Sequence, residues 1–375
     1  MLVNADFHIH SSFSGGTSEK IDLKNLAKGA KKKGLHILGT GDCLHEKWQK
    51  EIIKYYKNEK IEVDGINFIL TCEIEDKNRV HHLLLFPDFG SVEQFKERIK
   101  NYIKDELTGR PKIFVDGKQL IDLSSEANAL IGPAHAFTPY TSLYAYFNSV
   151  IEYYGKKPSF VELGLSADSS YADRIKELNS LPFLTNSDAH SSSPHRLGRE
   201  FNRIEIKEFS WDEIKNAILK NKIVINAGYP PEKGKYNRTA CCSCYRIYEK
   251  IEAEKKSWKC RCGGKIKKGV KDRVDELADY DKPNHPENRA KYIHIIPLIE
   301  IIATSLHISP YSSLALKRWE ELLCFGNEIN LLLDVGLDEL RKKSPQAIVD
   351  AIIAFREGKI KIIPGGGGKY GEVIV

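Results

Sequence analysis

Residue types that bind metal ions follow the ends of five strand-like apolar segments in this chain of 375 residues. The first segment leads to His8 and His10, and the last leads to Asp188 and His190. Residues i and i+2 of a strand share one face, so each of these pairs can direct two ligands toward one point. A protein has little structural reason to bury so many titratable groups unless a cation compensates them, so the pattern predicts a cluster of divalent metal ions. The segments in between lead to His45, Glu73 and His135.

The same segments predict the fold class of residues 1–228. Short apolar runs alternate there with amphipathic stretches, one of which places Leu23, Leu26 and Ala27 on a single helical face. Repeated alternation of strand and helix predicts a parallel sheet, open or closed. Only a closed barrel brings the C-terminal ends of many strands to one focus, and the ligand-type residues follow those ends. We therefore expect an α/β fold with a barrel-like domain over residues 1–228.

A cluster of cysteines follows this region. Five of the eight cysteines fall within residues 241–262, which indicates metal binding rather than the disulfide framework of a secreted protein. Cys260 and Cys262 are separated by one residue, whereas two residues separate the paired ligands of the commonest zinc sites. Cys242 could replace a neighbouring ligand. A segment this small and polar cannot hold a hydrophobic core without a metal ion, so we predict one structural zinc. The expected ligands, in the pattern C-x2-C and C-x-C, are Cys241, Cys244, Cys260 and Cys262.

Positive charge is concentrated around these cysteines. Residues 232–273 contain fourteen Lys and Arg against five Asp and Glu, a local net charge of +9, whereas the whole chain carries +6. A basic module on a mildly acidic body is typical of a protein that binds a polyanion such as DNA. A solvated lysine-rich surface is the simpler alternative. The candidate phosphate contacts are Lys265, Lys267 and Lys268.

Composition divides the chain into three regions. A stretch rich in Pro, Gly and charge at 229–235 follows the α/β region and opens a cysteine module over 229–273. Residues 274–375 have mostly helical patterns, so we expect a helical C-terminal domain. The glycine-rich segment 364–371 lacks the spacing of a phosphate-binding loop. It predicts either a simple turn or a turn that lets backbone approach a nucleic-acid phosphate.

No apolar run approaches the roughly 20 residues that span a bilayer, so we expect no membrane contact. The first ligand-bearing segment begins within a few residues of Met1, which leaves no room for a leader peptide. These features predict a cytoplasmic protein.

The ligand-type residues resemble the motifs of the PHP (polymerase and histidinol phosphatase) family of metal-dependent phosphoesterases. That resemblance implies a distorted β/α barrel with a trinuclear metal centre that hydrolyses phosphate esters. The residues that carry it are His8, His10, the segment 39–42, Glu73, His82, His135, Asp188 and His190.

A closer resemblance, to the endonuclease Q family, covers nearly the whole chain. Besides the PHP motifs it includes the segments 194–200, 239–241 and 262–264 and the glycine-rich segment 364–371. It implies a DNA-repair endonuclease that nicks damaged duplex or single-stranded DNA on the 5′ side of deaminated bases (hypoxanthine, uracil, xanthine) and abasic sites. Some members carry a C-terminal tail that docks on the sliding clamp, and this chain shows no clear docking motif of that kind.

The resemblance also implies roles for the ligands, which would bind zinc, manganese or magnesium. Glu73 is expected to bridge two metal ions, because a carboxylate has two oxygens to share, and we assign it, Asp188 and His190 to catalysis. Between His81 and His82 the motif alignment favours His82, with the other histidine on the opposite face of the strand. The three expected sites are formed by His8, His10 and Asp188, by His82 and His135, and by His45 and His190.

Other residues have expected supporting roles. The usual Thr-Asp-His motif of the family reads Gly-Asp-Cys at 41–43, so Asp42 is expected to orient a histidine instead of binding metal. Arg196, assigned to catalysis, and Arg199, assigned to DNA binding, could clamp the phosphate, because Arg makes bidentate contacts. Surface salt bridging is an equally good interpretation of both arginines. Three aromatic residues that follow ligand positions could stack on a flipped base, although aromatic residues are more often core: Trp48, Phe137 and Tyr140.

Two other functions stay open at this point. One is a PHP-type small-molecule phosphatase, against which the strongly basic cysteine module argues. The other is a non-catalytic, zinc-dependent nucleic-acid-binding protein, against which the complete ligand set argues.

Overall fold

Strands and helices alternate over much of residues 1–228, as the sequence pattern predicts. The computed structural model describes residues 1–18, 21–103 and 108–374. The strands are β1 Leu2–Asp6, β2 Ile37–Gly39, β3 Tyr56–Lys57, β4 Lys60–Val63, β5 Ile66–Glu75, β6 His81–Phe86, β7 Leu130–Pro133, β8 Val161–Glu162, β9 Phe183–Leu184, β10 Phe201–Glu205, β11 Ile223–Gly228, β12 Ala240–Cys241, β13 Ile266–Lys267, β14 Lys291–His294, β15 Lys361–Ile363 and β16 Glu372–Ile374. The helices are α1 Leu23–Lys33, α2 Glu46–Ile53, α3 Phe89–Ile99, α4 Gly117–Glu126, α5 Leu143–Tyr146, α6 Val150–Tyr154, α7 Ser169–Ala172, α8 Trp211–Leu219, α9 Lys250–Lys255, α10 Val270–Leu277, α11 Leu298–Ser305, α12 Ser313–Leu322, α13 Glu328–Leu333, α14 Leu337–Lys343 and α15 Gln346–Arg356.

Local sequence signals explain where helix α1 begins and ends. The Asp22 side chain accepts a hydrogen bond from the backbone N–H of Asn25, which satisfies a free donor of the first turn. Gly34 ends the helix with φ of 93°, in the left-handed region that favours glycine. The buried side chains of Leu23, Leu26 and Ala27 then face the core, as their spacing predicts.

The main sheet has ten strands and is mixed, which corrects the expectation of a parallel sheet. Its order is β14-β11-β10-β1-β2-β5-β4-β3, and β6 and β7 continue from β5. Strands β1, β2 and β5 are mutually parallel, but β5, β6 and β7 alternate in direction. The connection between β5 and β6 spans only residues 76–80, which is too short for a parallel crossover, so these strands form a hairpin.

Side-chain amides close the sheet into a distorted barrel. The short parallel pair β8 and β9 forms a separate two-stranded sheet between β7 and β1. On the β1 side, the buried Asn186 accepts a hydrogen bond from the backbone N–H of Phe7 at 2.9 Å. The buried Asn202 accepts one from the N–H of Thr185 and donates one to its carbonyl, both at 2.9 Å. The predicted α/β fold is therefore confirmed, with closure through side-chain amides and a backbone bridge between Ile9 and Ala189 where a regular strand ladder is missing.

The segments after residue 228 are built into the same body. Strand β14 pairs in parallel with β11, from Ile225 opposite Lys291 to Gly228 opposite His294, so the C-terminal region contributes to the main sheet besides its helices. The predicted linker is also packed, since the Nζ of Lys233 lies 2.8 Å from Glu300. The division into 1–228, 229–273 and 274–375 stays a prediction about composition. Among the described residues, no helix combines the length and apolarity that a membrane crossing requires.

A buried ion pair joins helix α1 to the C-terminal helices. The Nζ of Lys33 lies 2.6 Å from the carboxylate of Glu328, and both side chains are almost completely buried. The same carboxylate accepts hydrogen bonds from the indole N–H of Trp319 and the backbone N–H of Leu298. This network satisfies each charge with several partners, as a buried ion pair requires.

We expect Lys33→Met to lower the free energy of unfolding by about 3–5 kcal/mol, because it leaves the Glu328 carboxylate buried without a cation. The adjacent Lys32 pairs with Glu320 at 2.8 Å on the protein surface and provides the matched control. Lys32→Met should cost at most about 1 kcal/mol. Denaturant unfolding of the two variants checks this difference. Equal losses would show that the buried pair does not brace the two regions.

Candidate active site

The ends of β1 and β9 bring together a first group of ligands. Strand β1 leads directly into His8 and His10, and a backbone bridge between Ile9 and Ala189 holds the segment after β9 beside them. Potential ligand atoms of His8, His10 and Asp188 all lie within 4.8 Å of one another. The Oδ1 of Asp188 is 3.1 Å from the Nε2 of His10 and 3.8 Å from that of His8. The i, i+2 spacing in the sequence predicts this arrangement.

A second group lies where β5, β6 and β7 meet, and it consists of Glu73, His81 and His135. The Oε1 of Glu73 is 2.7 Å from the Nδ1 of His81 and 2.8 Å from the Nε2 of His135. Glu73 also reaches the first group, because its Oε2 is 3.6 Å from the Nε2 of His10. Its two carboxylate oxygens therefore face both ligand groups, as expected for a bridging carboxylate.

The structure corrects the expected ligand His82 to His81. In the register between β5 and β6, Glu73 is opposite Leu83 and Ile74 is opposite His82. Residues directly opposite each other share a face of the sheet, so His82 lies on the face away from Glu73. Its Nδ1 forms a 2.6 Å hydrogen bond with the hydroxyl of Tyr154 instead.

The expected third pair, His45 and His190, belongs to neither group among the described residues. His45 directly precedes α2, and its ring stacks on the ring of Phe13 with centroids 4.1 Å apart. The His190 ring lies 4.4 Å from the ring of His10, and its Nδ1 is 3.1 Å from the backbone carbonyl of Asp188. His190 therefore borders the first ligand group, and the assignment of these two histidines to a third metal site stays a prediction.

A buried carboxylate that the sequence analysis missed orients His8. The Oε2 of Glu162, at the end of β8, lies 2.9 Å from the Nδ1 of His8. Glu162 also accepts hydrogen bonds from the side chain of Asn186 and the backbone N–H of His135, both at 2.7 Å. Glu162 ends strand β8, which has only two residues and therefore shows no periodic pattern. Its position at a strand end was the available signal.

Asp42 orients the other histidine of the first pair. Its carboxylate lies 3.4 Å from the Nδ1 of His10 and accepts hydrogen bonds from the backbone N–H of Ser11 and the hydroxyl of Ser14. Asp42 is completely buried and belongs to neither ligand group among the described residues. This geometry agrees with the expected orienting role.

The donor set fits divalent metal ions. The Nε2 of His8 is buried without a hydrogen-bond partner among the described residues, although its ring is fixed by Glu162 through Nδ1. A buried imidazole nitrogen that faces the carboxylates of Glu73 and Asp188 is suited to donate its lone pair to a cation. Each of the two ligand groups combines imidazole nitrogens with a carboxylate, and such ligands suit zinc, manganese or related ions.

Charges within the centre control its protonation. Burial alone would raise the pKa of the Glu73 carboxyl, but the nearby His81, His135 and His8 hold that pKa well below its usual range. Burial would lower the pKa of His10, but the neighbouring carboxylates raise it to about 10. Without bound cations, protonated imidazoles therefore supply the positive charge that balances these carboxylates.

A cavity of about 730 Å³ opens above both ligand groups. Its basic lining includes Arg110, which the sequence analysis missed and whose Nη1 is 3.1 Å from the Oε2 of Glu73. Arg196 and Arg199 also line it, and neither has a carboxylate partner within the described ranges. The alternative interpretation of these two arginines as surface salt-bridge residues therefore lacks support. The remaining lining includes Lys235 and the aromatic residues Tyr140, Tyr236 and Tyr370.

Two of the three aromatic candidates for base stacking belong to the core. The indole N–H of the buried Trp48 donates to the backbone carbonyls of Thr40 and Gly41. Phe137 is buried against Tyr144, with ring centroids 4.8 Å apart. These interpretations are corrected, because packing inside the barrel domain takes both rings away from the cavity. Tyr140 does line the cavity and stays a candidate.

The four predicted cysteines form a third potential metal site. Their Sγ atoms lie within 4.8 Å of one another, with 3.5 Å between Cys241 and Cys262 and 3.6 Å between Cys244 and Cys260. Tetrahedral zinc with four thiolates implies sulfur–sulfur distances of about 3.8 Å, so the set fits a zinc ion. The Sγ of Cys242 instead lies 3.6 Å from the hydroxyl of Tyr140. Cys242 is therefore not part of the ligand set.

The three candidate lysines lie where the cysteine module faces the barrel. Together they line a second hollow of about 500 Å³. The Nζ of Lys267 lies 4.1 Å above the ring of Tyr140, and burial together with the charge of Lys265 lowers the pKa of Lys267. Lys268 is paired with Glu276 at 2.6 Å, so its charge is partly neutralised. Lys265 and Lys267 are thus better placed for phosphate contacts than Lys268.

Comparisons with known proteins reveal relatives over the whole length of the chain. A family model described as the MJ0043 C-terminal domain matches residues 297–359. The chain is 49% identical over 246 residues to the uncharacterized protein MJ0043 of Methanocaldococcus jannaschii, which covers 64% of this chain. The matched part amounts to only 31% of the length of that relative.

Solved structures show the similarity in three dimensions. The lesion-specific endonuclease PfuEndoQ from Pyrococcus furiosus is 46% identical, with a TM-score of 0.94 over 100% of this chain and 96% of that structure. An endonuclease Q in complex with a 27-mer duplex substrate, which carries an abasic lesion at the active site, is 46% identical with a TM-score of 0.96. That match covers 100% of this chain and 97% of the other.

Proposed function

Because the chain belongs to the endonuclease Q family, we propose that it is a DNA-repair enzyme that cuts DNA next to damaged bases. The reaction is metal-dependent hydrolysis of the phosphodiester on the 5′ side of deaminated bases (hypoxanthine, uracil, xanthine) and abasic sites. The observation that carries this proposal is the position of Glu73, which faces both ligand groups at the floor of a cavity with basic walls. A phosphodiester fits such a site, since it needs both a cation-binding floor and cationic walls.

The ligand groups imply how the metal ions would be held. His8, His10 and Asp188 would hold one ion, and His81 and His135 another, with Glu73 shared between them. Divalent zinc, manganese or magnesium, when bound, lowers the pKa of water and neutralises charge that develops on the phosphate. The four cysteines would hold one structural zinc.

The residues of the chain itself position the reacting groups. Glu162 lies beside the Nδ1 of His8, and Asp42 lies beside the Nδ1 of His10. These contacts direct the Nε2 atoms of both histidines toward the centre. Arg196 and Arg199 would bind the phosphate oxygens. The Nδ1 of His190 faces a backbone carbonyl, so its Nε2 is the atom proposed to move a proton at the cavity floor.

Lesion recognition would use the aromatic side of the cavity. A deaminated base hides its Watson–Crick edge inside a duplex, so the enzyme would flip the nucleotide out, at a cost of a few kcal/mol. Tyr140 and Tyr236 line the cavity and are proposed to contact the flipped nucleotide. The partner is damaged DNA, as duplex or single strand, and we propose that the enzyme acts in the cytoplasm.

A panel of substrates tests this function. The purified protein is incubated with Mn²⁺ or Mg²⁺ and end-labelled duplexes that carry one deoxyinosine, one deoxyuridine, one abasic site or no lesion. We expect nicking of the lesion strands and none of the undamaged duplex. Hydrolysis of histidinol phosphate or nucleotide monoesters without nicking would favour the small-molecule phosphatase instead. Binding without any hydrolysis would favour a non-catalytic binding protein.

The basic module predicts a salt dependence of DNA binding. Each neutralised phosphate contributes about 0.9 to the slope of log affinity against log salt. Lys265→Glu combined with Lys267→Glu should therefore reduce that slope by about 1.8 or more and weaken binding to damaged and undamaged duplex alike. Fluorescence anisotropy across a salt series measures both quantities.

Two comparisons control this experiment. Lys268→Glu alone should have a smaller effect, because Glu276 already neutralises Lys268. Lys57→Glu with Lys60→Glu, on β3 and β4 at the opposite end of the strand order from β14, should leave the slope unchanged. A double variant at 265 and 267 that lost only its lesion preference would contradict the division of roles between module and cavity.

A further inference from the structure

The glycine-rich segment 364–371 is folded into the wall of the active-site cavity. It runs beside the predicted linker at 229–235. The N–H of Gly365 donates to the carbonyl of Glu232 at 2.8 Å, and the N–H of Gly371 donates to the carbonyl of Lys233 at 2.9 Å. The Nζ of Lys233 in turn donates to the carbonyl of Gly371 at 2.9 Å. These contacts hold both ends of the segment against residues 232 and 233.

The same segment touches the cysteine module so closely that it requires glycine. Gly366 forms a backbone bridge with Arg238. Gly367 has φ of +66°, and a Cβ at this position would overlap the backbone carbonyl of Cys241. The segment is therefore fixed between two parts of the fold by its own backbone contacts.

This anchoring places one side chain, that of Tyr370, between two arginines. Its hydroxyl oxygen accepts hydrogen bonds from the Nη1 atoms of Arg196 and Arg199, each at 3.3 Å. Arg199 is itself fixed by a 2.9 Å bond from Nε to the carbonyl of Ser187, directly before Asp188. One neutral oxygen thus holds two guanidinium groups whose positive charges would otherwise repel each other.

The hydroxyl has one further hydrogen-bonding function available. A tyrosine oxygen can accept two hydrogen bonds and still donate its own proton. That proton has no acceptor within the described parts of the chain, and the side chain lines the cavity above the ligand groups. Burial would raise the pKa of Tyr370, but the charges of Arg199, Lys235 and Arg196 lower it, which makes the hydroxyl a stronger donor.

We propose that Tyr370 is a phosphate-binding residue, which accepts from Arg196 and Arg199 and donates its O–H to a non-bridging oxygen of the scissile phosphate. The inference rests on the proposed phosphodiester hydrolysis. It assigns a function to the glycine-rich segment, which is to carry one hydroxyl into the cavity across the junction of barrel and cysteine module. Two arginines and one hydroxyl then present only hydrogen-bond donors to the negatively charged, non-bridging oxygens of the phosphodiester.

The test compares Tyr370→Phe with Tyr56→Phe, a tyrosine of the distant edge strand β3. Loss of a hydrogen bond to a charged group should reduce the single-turnover nicking rate on an abasic-site duplex by about tenfold to a hundredfold. The melting temperature, zinc content and affinity for undamaged duplex of Tyr370→Phe should match the wild type. Combined with Arg196→Lys, the loss should be smaller than the product of the two single losses, because both act on one phosphate.

Two results would overturn the proposal. One is wild-type nicking by Tyr370→Phe, and the other is a slower rate accompanied by a lower melting temperature or lost zinc, which would make Tyr370 a structural residue. Binding of inorganic phosphate to the wild type and to Tyr370→Phe, measured by calorimetry, separates this inference from the proposed function. If the wild type failed to nick DNA, a phosphate affinity about tenfold weaker in Tyr370→Phe would uphold the residue's role and refute the endonuclease alone.

Discussion

Glu73→Gln is expected to slow nicking of a lesion-bearing duplex by about a thousandfold or more, with little change in DNA affinity. Glu73 is the residue whose carboxylate oxygens face both ligand groups, at 2.8 Å from His135 and 3.6 Å from His10. The amide removes a negative charge that both metal ions would share, so several kcal/mol of transition-state stabilisation are lost. Single-turnover kinetics on an abasic-site duplex measures the rate, and metal analysis measures occupancy.

The matched control is Glu205→Gln, an exposed carboxylate at the end of β10 in the same sheet. It should nick at the wild-type rate. Asp188→Asn should resemble Glu73→Gln, because Asp188 completes the first ligand group. A Glu73→Gln protein with normal metal content and near-normal nicking would contradict the assignment of the centre.

The second large effect concerns the cysteines. Replacing Cys244 and Cys260 by Ser should release one tightly held zinc ion, which chelation of the barrel metals leaves in place in the wild type. Structural zinc contributes about 10–16 kcal/mol to small modules of this kind, so residues 236–270 should lose their fold. Metal analysis after chelation measures the zinc, and hydrogen exchange measures protection of that segment.

Cys242→Ser is the control for this pair of substitutions, since its Sγ lies beside Tyr140 and outside the ligand set. It should keep both zinc and protection. The double variant should also lose nicking, because the segment that carries Tyr370 packs on Arg238 and Cys241. Unchanged zinc content in the double variant would refute the four-thiolate site.

The parts of the site that follow short-range sequence rules could be predicted. His8 and His10 lie two residues apart after an apolar strand, and alternation alone brings them to one face. The cysteine pairs have ligand spacing that few other structures explain. The start and end of α1 were predictable for the same reason, because its Asp and Gly caps act within a few residues.

The parts that depend on strand register or long-range packing could not. His81 and His82 are adjacent, so choosing between them requires the pairing of β5 with β6, which the sequence does not display. Glu162 ends a strand of two residues, and Arg110 follows no strand at all, so neither has a periodic signal. Tyr370 reaches Arg196 across 174 positions of the chain.

The mixed sheet shows the same limit. Alternation of strands and helices does not reveal that β5 and β6 form a hairpin or that β14, which follows the cysteine module, adds to β11. Closure through Asn186 and Asn202 was equally hidden, because buried amides carry no hydropathy signal.

Mapping the nick on a lesion strand tests the proposed activity most directly. A duplex with one abasic site, labelled at the 5′ end of the damaged strand, is incubated with wild type, Glu73→Gln and Glu205→Gln in the presence of Mn²⁺. The expected result is a single labelled product that ends at the nucleotide on the 5′ side of the lesion, formed by the wild type and Glu205→Gln and absent with Glu73→Gln or chelator. A cut at any other position, or one that is indifferent to Glu73, would contradict a lesion-directed endonuclease that works through this centre.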